Sequence, residues 1–155
     1  TKKRLMLYVL LIVAGWVLYS YSLAIFSWRR PTLGFVDGHL RPCGTKPNCV
    51  CSCQSDDAHA IEPLPIGTAD PATAFEHARQ CVEAVARVAL VEAAPGYARY
   101  ECSTAVFRFT DDIELLLDEA AGVIHIRSAS RVGYSDLGVN RRRVAEIRER
   151  YQSGE

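Results

Sequence analysis

From Leu5 to Trp28 the chain runs 24 residues without a charge, LMLYVLLIVAGWVLYSYSLAIFSW, and no other feature restricts its fold as strongly. As a helix rising about 1.5 Å per residue, such a run spans roughly 36 Å, against a hydrocarbon core of about 30 Å. Tyr8 near one end and Tyr19, Tyr21 and Trp28 near the other suit the two interfacial zones of a bilayer, although Trp16 falls mid-span. A cleaved signal peptide would have a shorter apolar stretch ending in a small-x-small site, and no Ala-x-Ala follows this one. A buried helix of a water-soluble protein would show a polar stripe, and none is visible. The reading is a single-pass anchor over residues 1–30 that contacts membrane lipid. Lys2, Lys3 and Arg4 outnumber Arg29 and Arg30, which puts the N-terminus in the cytoplasm and the rest of the chain on the periplasmic or extracytoplasmic side of the inner (plasma) membrane. The sequence opens on Thr1 rather than Met, so further residues are expected upstream.

The 155-residue chain is formally neutral, but the balance is uneven. Residues 1–30 hold five basic residues and no acid, so the remainder carries 13 basic against 18 acidic residues. A domain of net charge −5 lacks the basic surface that displaces phosphate counterions, which excludes general nucleic-acid binding.

Residues 31–66 are rich in Pro, Gly, Asp and Ser, hold no sustained period, and read as a Cys-rich irregular segment. Cys43, Cys49, Cys51 and Cys53 crowd into CGTKPNCVCSC, with Cys81 and Cys102 further on. Six cysteines in an exported chain suggest disulfides, but sequence cannot choose among fifteen full pairings. Cys43 and Cys49 could close a short loop, leaving Cys51 and Cys53 to reach Cys81 and Cys102. The rival reading is zinc or Cu(I) held by Cys43, Cys49, Cys51 and Cys53, since soft thiolates suit both metals, with His39 and His59 as the nearby imidazoles. The spacing is not that of paired zinc knuckles, and no cofactor is expected.

Residues 67–152 read as an α+β domain in two layers, with about four antiparallel strands and two packing helices. Thr68 or Asp70 can cap a helix that opens on Pro71 and repeats Phe75, Ala78, Val82 and Val85 at helical spacing, with His77 off that face and solvated. Strands follow at Val88–Glu92, Tyr97–Phe109, Ile113–Asp118 and Val123–Ser130. In the second, Tyr100, Cys102, Thr104, Val106 and Arg108 would share one face, and Ala105, Phe107 and Phe109 the other. In the last, Ile124 and Ile126 oppose His125 and Arg127, so the sheet has one apolar and one partly polar face. A final helix over Asn140–Gln152 turns Val144, Ile147 and Tyr151 inward and its arginines outward.

Between them lies RSASRVGYSDLGVNRRR, Arg127 to Arg143. Ser128, Ser130, Arg131, Tyr134, Asp136, Asn140 and Arg141 form a donor-rich set that could bind an anionic small molecule or a protein partner, since arginine grips carboxylates and phosphates with two parallel hydrogen bonds. The same residues serve a loop entering a helix: Ser135, Asp136 or Asn140 can cap, and Arg131 can pair with Asp111 or Asp112. A catalytic triad of Ser128 or Ser130 with His125 or His59 and Asp136 can be drawn, but residues alternating along one strand rarely converge. Asp111 and Asp112, adjacent on a strand, point to opposite faces. No nucleophile elbow, zinc-protease helix or phosphate loop is present.

Cys43 with PNCV, HAIEPL, the Asp111-Asp112 pair and IRSASRVGYSDLGVNRRR together resemble the bacterial and plastid family called domain of unknown function 1499, over about residues 40–151. The resemblance implies a small envelope or chloroplast protein with an N-terminal hydrophobic segment and implies no activity. Its signature corresponds here to Cys43, Cys49, His59, Asp111, Asp112, Ser128, Ser130, Arg131, Gly133, Tyr134, Asp136, Gly138, Asn140 and Arg141. Cys51 and Cys53 depart from it. The expectation is therefore a membrane-anchored, non-enzymatic binding or interaction module for a protein, an anionic ligand or a lipid headgroup, acting alone or as a subunit of a membrane complex. The alternatives are a cysteine-based metal-binding protein and, more weakly, a hydrolase or lyase using the Ser128–Asp136 loop.

Overall fold

A computed structural model of the chain describes residues 2–154. The elements are α1 (Lys2–Ser27), β1 (Phe35–Val36), β2 (His39–Leu40), β3 (Cys49–Cys51), β4 (Leu64–Pro65), α2 (Pro71–Glu83), β5 (Val88–Ala94), β6 (Tyr97–Ser103), β7 (Thr110–Asp118), β8 (Val123–Ser130) and α3 (Val139–Ser153). The helix α1 is long and apolar enough to cross a membrane. Most of its surface is uncovered, and its C-terminal half meets the rest of the protein, where Ser20, Ala24 and Ser27 are buried and Trp16 and Tyr21 pack on Phe107.

The remainder is an α+β unit. One antiparallel sheet runs β3-β8-β7-β6-β5, with β4 also paired to β8. Local chemistry accounts for the helix starts. Asp70 accepts the Thr73 amide at 3.0 Å and Pro71 opens α2, as the sequence predicts. At α3 the chain turns through Gly138 at φ +76°, and a Cβ there would stand 3.2 Å from Arg142 Nη1, so glycine fits for both conformation and space. Both helices cover one face of the sheet, where Phe75, Val82, Tyr100, Ile113, Ile126 and Ile147 form the main core. The opposite face carries a second, smaller cluster of Leu40, Cys43, Cys49, Cys51, Tyr97 and Leu116.

The four predicted strands are β5 to β8, with two corrections of extent. The segment 31–66 is less irregular than its composition suggests, because β3 and β4 both pair with β8 and extend the sheet to six strands. Strands of two and three residues, Leu64–Pro65 and Cys49–Cys51, leave no alternation to read, and their partner strand lies about 60 to 80 residues further along the chain. The second predicted strand stops at Ser103. Residues 104–109 form a loop instead, closed by Thr104 N–H to Phe109 O at 2.9 Å and Phe109 N–H to Thr104 Oγ1 at 2.9 Å, so Phe107 and Phe109 face α1 rather than the sheet. His77 is half-buried and stacks on Tyr151 with ring centroids 4.9 Å apart, not solvated as expected. The arginines of α3 are not all outward either, because Arg143 is buried.

Of the open pairings, Cys43–Cys49 is the disulfide, six residues apart. Cys51 and Cys53 bridge neither Cys81 nor Cys102.

Candidate functional site

The strand β7 places Asp111 and Asp112 on opposite faces of the sheet, as adjacent strand residues must be, and each anchors its own polar network. On the helix side, Arg143 Nη2 donates to Asp111 Oδ2 at 2.7 Å. Ser128 Oγ and Arg143 Nη1 both donate to Asn140 Oδ1 at 2.6 Å. The Asn140 amide nitrogen in turn reaches Ser130 Oγ at 2.9 Å and the Asn48 carbonyl at 3.0 Å. Asp136 accepts the Asn140 backbone N–H at 2.7 Å and the Gly138 N–H at 3.0 Å, which makes Asp136 the residue that satisfies the start of α3. Burial pushes the Asp111 carboxyl up from its ordinary pKa, against the opposing pull of Arg143.

On the other face, Asp112 is held by Arg99 Nη2 at 2.9 Å and by Arg131 through Nε at 2.7 Å. Arg131 also donates to Glu101 at 2.7 Å and, through Nη1, to the Ser27 carbonyl at the end of α1 at 3.0 Å. Burial would raise the Glu101 carboxyl, but Arg30 and Arg131 together hold it below its ordinary value. Fully buried Glu114 accepts from Arg127 at 2.8 Å, Tyr97 at 2.9 Å and the Gly34 N–H at 3.0 Å. The partly polar face read from His125 and Arg127 is thus largely a buried ladder of charge pairs, roofed by residues 30–53.

Most of the sequence candidates are therefore internal. Arg131 and Arg143 are committed to carboxylates, and Arg141 donates to the Ala60 and Ala58 carbonyls at 2.9 Å. Only Tyr134 of the donor set projects freely, 72 % exposed. The drawn triads do not assemble. Ser128 and Ser130 bond Asn140, while His59 Nδ1 meets Asp56 at 2.6 Å and its Nε2 meets the Lys46 carbonyl at 3.1 Å. His125 pairs with Ser52, Oγ to Nδ1 at 3.1 Å, while Asp118 stands 3.7 Å from Nε2. Sequence reading missed this Ser-His-Asp alignment because Ser52 lies 73 residues from His125. Its geometry orients the imidazole, since Ser52 Oγ also accepts the Ile126 N–H at 2.9 Å and Asp118 is beyond hydrogen-bond reach.

The cysteine cluster offers fewer ligands than its spacing promised. Cys43 and Cys49 are joined, and among the described residues no three His, Cys, Asp or Glu side chains gather as a metal site would need. Cys53 donates its backbone N–H to Cys51 Sγ at 3.3 Å. A hydrogen bond from Cys51 holds the Cys53 thiol down to about 6, and the same interaction together with burial drives Cys51 up.

A cavity of about 280 Å³ lies where α1 meets the domain. Leu23, Phe109, Val132, Leu137 and Val139 form its apolar walls, and Asp111, Ser130 and Asp136 form polar lining. No arginine or lysine is among the residues that line it. Leu23 and Phe109 were not among the sequence candidates; the apolar cluster Ala105, Val106, Phe107 and Phe109 was the available signal.

The family described as Protein of unknown function (DUF1499) matches residues 39–150. The chain belongs to this family. No curated protein and no solved structure matches it. Most of the positions through which the sequence resembles DUF1499 have now been placed, and they hold the fold together. Cys43 and Cys49 form the disulfide, His59 braces the Lys46 loop, and Asp111, Asp112, Ser128, Ser130, Arg131, Asp136 and Asn140 form the two networks.

Removing one partner of the buried Asp111–Arg143 pair should be far worse than removing both. Arg143→Ala is expected to lose about 3–5 kcal/mol by urea unfolding in detergent, and the double variant Asp111→Asn/Arg143→Met distinctly less, because neither partner is then left as an unpaired buried charge. His59 supplies the pH dependence. The Asp56 carboxylate and the Lys46 carbonyl raise its pKa above the ordinary 6.5, so its contribution to stability is present below that value and is lost as pH rises through the folded pKa. An NMR titration should find the His59 ring titrating above 6.5, and Asp56→Asn should bring it down.

Proposed function

We propose that the chain is a single-pass membrane protein whose helix α1 keeps its N-terminus in the cytoplasm and whose domain is an extracytoplasmic, non-enzymatic binding module. Support for the anchor comes from the length and unbroken apolar surface of α1. Its junction also favours retention over cleavage. Ser27 is fully buried, its hydroxyl accepts the Thr110 N–H at 3.0 Å, and its carbonyl accepts from Arg131, so the helix end is part of the folded unit. Three basic residues before the apolar run and a disulfide beyond it favour this orientation.

The observation that carries the binding role is the contrast between the two parts of the donor-rich loop. Arg131 and Arg143 are paired to buried carboxylates and Arg141 is held on the Ala58 and Ala60 carbonyls, whereas the cavity beside α1 is walled by apolar side chains with two carboxylates in its lining. That chemistry suits an amphipathic ligand with an apolar body and a neutral or cationic hydrogen-bond-donating end better than the anion expected from Arg131 and Arg141.

Protease added to right-side-out membrane vesicles should remove the domain and spare an N-terminal tag; protection of the domain there, with cleavage in inverted vesicles, would reverse the orientation. For the cavity, native mass spectrometry of protein extracted in mild detergent should show a retained amphiphile. Val132→Trp, which fills the space, should lose it while the melting temperature holds. Equal retention by both proteins places the ligand elsewhere.

A further inference from the structure

Two loops leave the same end of the sheet. Residues 104–109 join β6 to β7, and 131–138 join β8 to α3; Ser103 faces Thr110 across one pair of strands, and Asp111 faces Ser130 across the next. These loops carry the three most exposed large apolar side chains of the described residues: Leu137 at 83 %, Val106 at 74 % and Tyr134 at 72 %. Each is more exposed than any such residue on α1, where the highest value is 71 %. The two loops are neighbours, since Thr104 and Phe109 of one line the same cavity as Val132 and Leu137 of the other, and apolar side chains exposed together at one end of a fold mark a surface that calls for a covering.

The position of α1 identifies that covering. Phe107 packs edge-on against Trp16, with centroids 5.4 Å apart, and against Tyr21 at 5.8 Å. Those two residues lie about 18 Å and about 10 Å along the helix axis before Trp28. Beside them, Leu23 shares the cavity wall with Val132 and Leu137 of the other loop. Residues that touch the apolar stretch of a spanning helix must sit at the depth of that stretch. Trp28 marks the boundary, donating its indole N–H to the Arg108 carbonyl at 3.3 Å. The exposed Arg108 side chain therefore starts at the interface, where its guanidinium can reach headgroup phosphates while its stem stays in the apolar layer. The remaining charges of the two loops, Arg131 and Asp136, are turned inward to Asp112 and to the start of α3.

On the reading that α1 spans the bilayer, we infer that the 104–109 and 131–138 loops are immersed in the leaflet on the domain side, with Val106, Phe107 and Leu137 among the acyl chains and Tyr134 and Arg108 at the headgroups. The sheet stands end-on to the membrane, its β7–β8 turn at Glu119 held clear by the length of β7, roughly 30 Å for nine residues. The cavity then opens sideways into lipid, and its ligand is drawn from the bilayer.

Brominated acyl chains, which quench tryptophan only on contact, test this in the full chain reconstituted into phosphatidylcholine vesicles. Trp28→Phe leaves Trp16 as the reporter of the span. In a Trp16→Phe/Trp28→Phe background, Val106→Trp and Leu137→Trp report the two loops and Glu119→Trp the far end. The expected result is a loss of emission for both loop reporters approaching that of Trp16, and none for Glu119→Trp. If Trp16 is quenched and the loop reporters are not, the immersion is overturned while the anchor stands; blue-shifted but unquenched loop emission would likewise overturn it, by showing the loops covered by a second copy of the chain. If Trp16 itself escapes quenching, the spanning reading falls and takes this inference with it.

Discussion

Arg131 is the residue through which helix and domain become one object. A guanidinium only 5 % exposed would be costly without acceptors, and it has four: both oxygens of Asp112, one of Glu101 and the last carbonyl of α1. The planar fork suits this arrangement, since it can serve a carboxylate with parallel bonds while its other edge meets the helix terminus. The Ser27 carbonyl is one of the groups a helix leaves without an intrahelical partner, and a cation at that end also opposes the negative pole of the helix. The consequence is geometric. With Ser27 fixed to Thr110 and Arg131, the start of β7 and the end of β8 are pinned to the point where α1 stops, and both loops at that end of the sheet are pinned with them.

This bears on the meaning of the DUF1499 match. A motif crowded with Ser, Asp, Asn and Arg invites an active-site reading, yet Ser128, Ser130, Arg131, Asn140, Arg141 and Arg143 are each engaged with another part of the same chain. The Asn140 side chain shows the logic. It bridges Ser128, Ser130, Asp136, Arg143 and the Asn48 backbone, and so joins β8, α3 and the loop before β3 at one buried point. Such a network fixes the register of a short, irregular N-terminal segment that apolar packing alone would define poorly. The groups left outward by this construction, Tyr134 and Leu137, are the ones with surface to offer.

How much of this was legible in the sequence depended on the range of the interactions involved. The α1 span, the Asp70 cap, the α2 stripe, the strands β5 to β8 and the divergence of Asp111 from Asp112 follow from periodicities and caps within a few residues. Charge alone offers Arg131 two partners, Asp111 and Asp112, and the structure selects Asp112. In contrast, β3 and β4 exist because β8 offers an edge to pair with, and Arg143 turns inward because Asp111 waits on a strand 32 residues earlier. The alternation through Val106 and Phe109 looked like more strand for a related reason. Apolar residues at spacing two suit a sheet, but here the covering surface is the helix α1, some 80 residues upstream, and a loop presents them to it.

The same long-range constraint explains why so small a domain buries so many charges on one sheet face. Residues 30–53 have too few apolar side chains to roof that face with a second full core; Leu40, the Cys43–Cys49 disulfide and Cys51 cover only part of it. The rest is closed by Arg99, Arg127 and Arg131 against Asp112, Glu114 and Glu101, a ladder in which each carboxylate meets at least one guanidinium. Charge pairs of this kind contribute little net stability, but they penalise any alternative register, because a slip of one residue would carry every partner to the opposite face. For a domain that must hold a helix end and two apolar loops in a fixed relation, a penalty on misalignment matters more than depth of burial, and the apolar side chains are placed where they meet the helix.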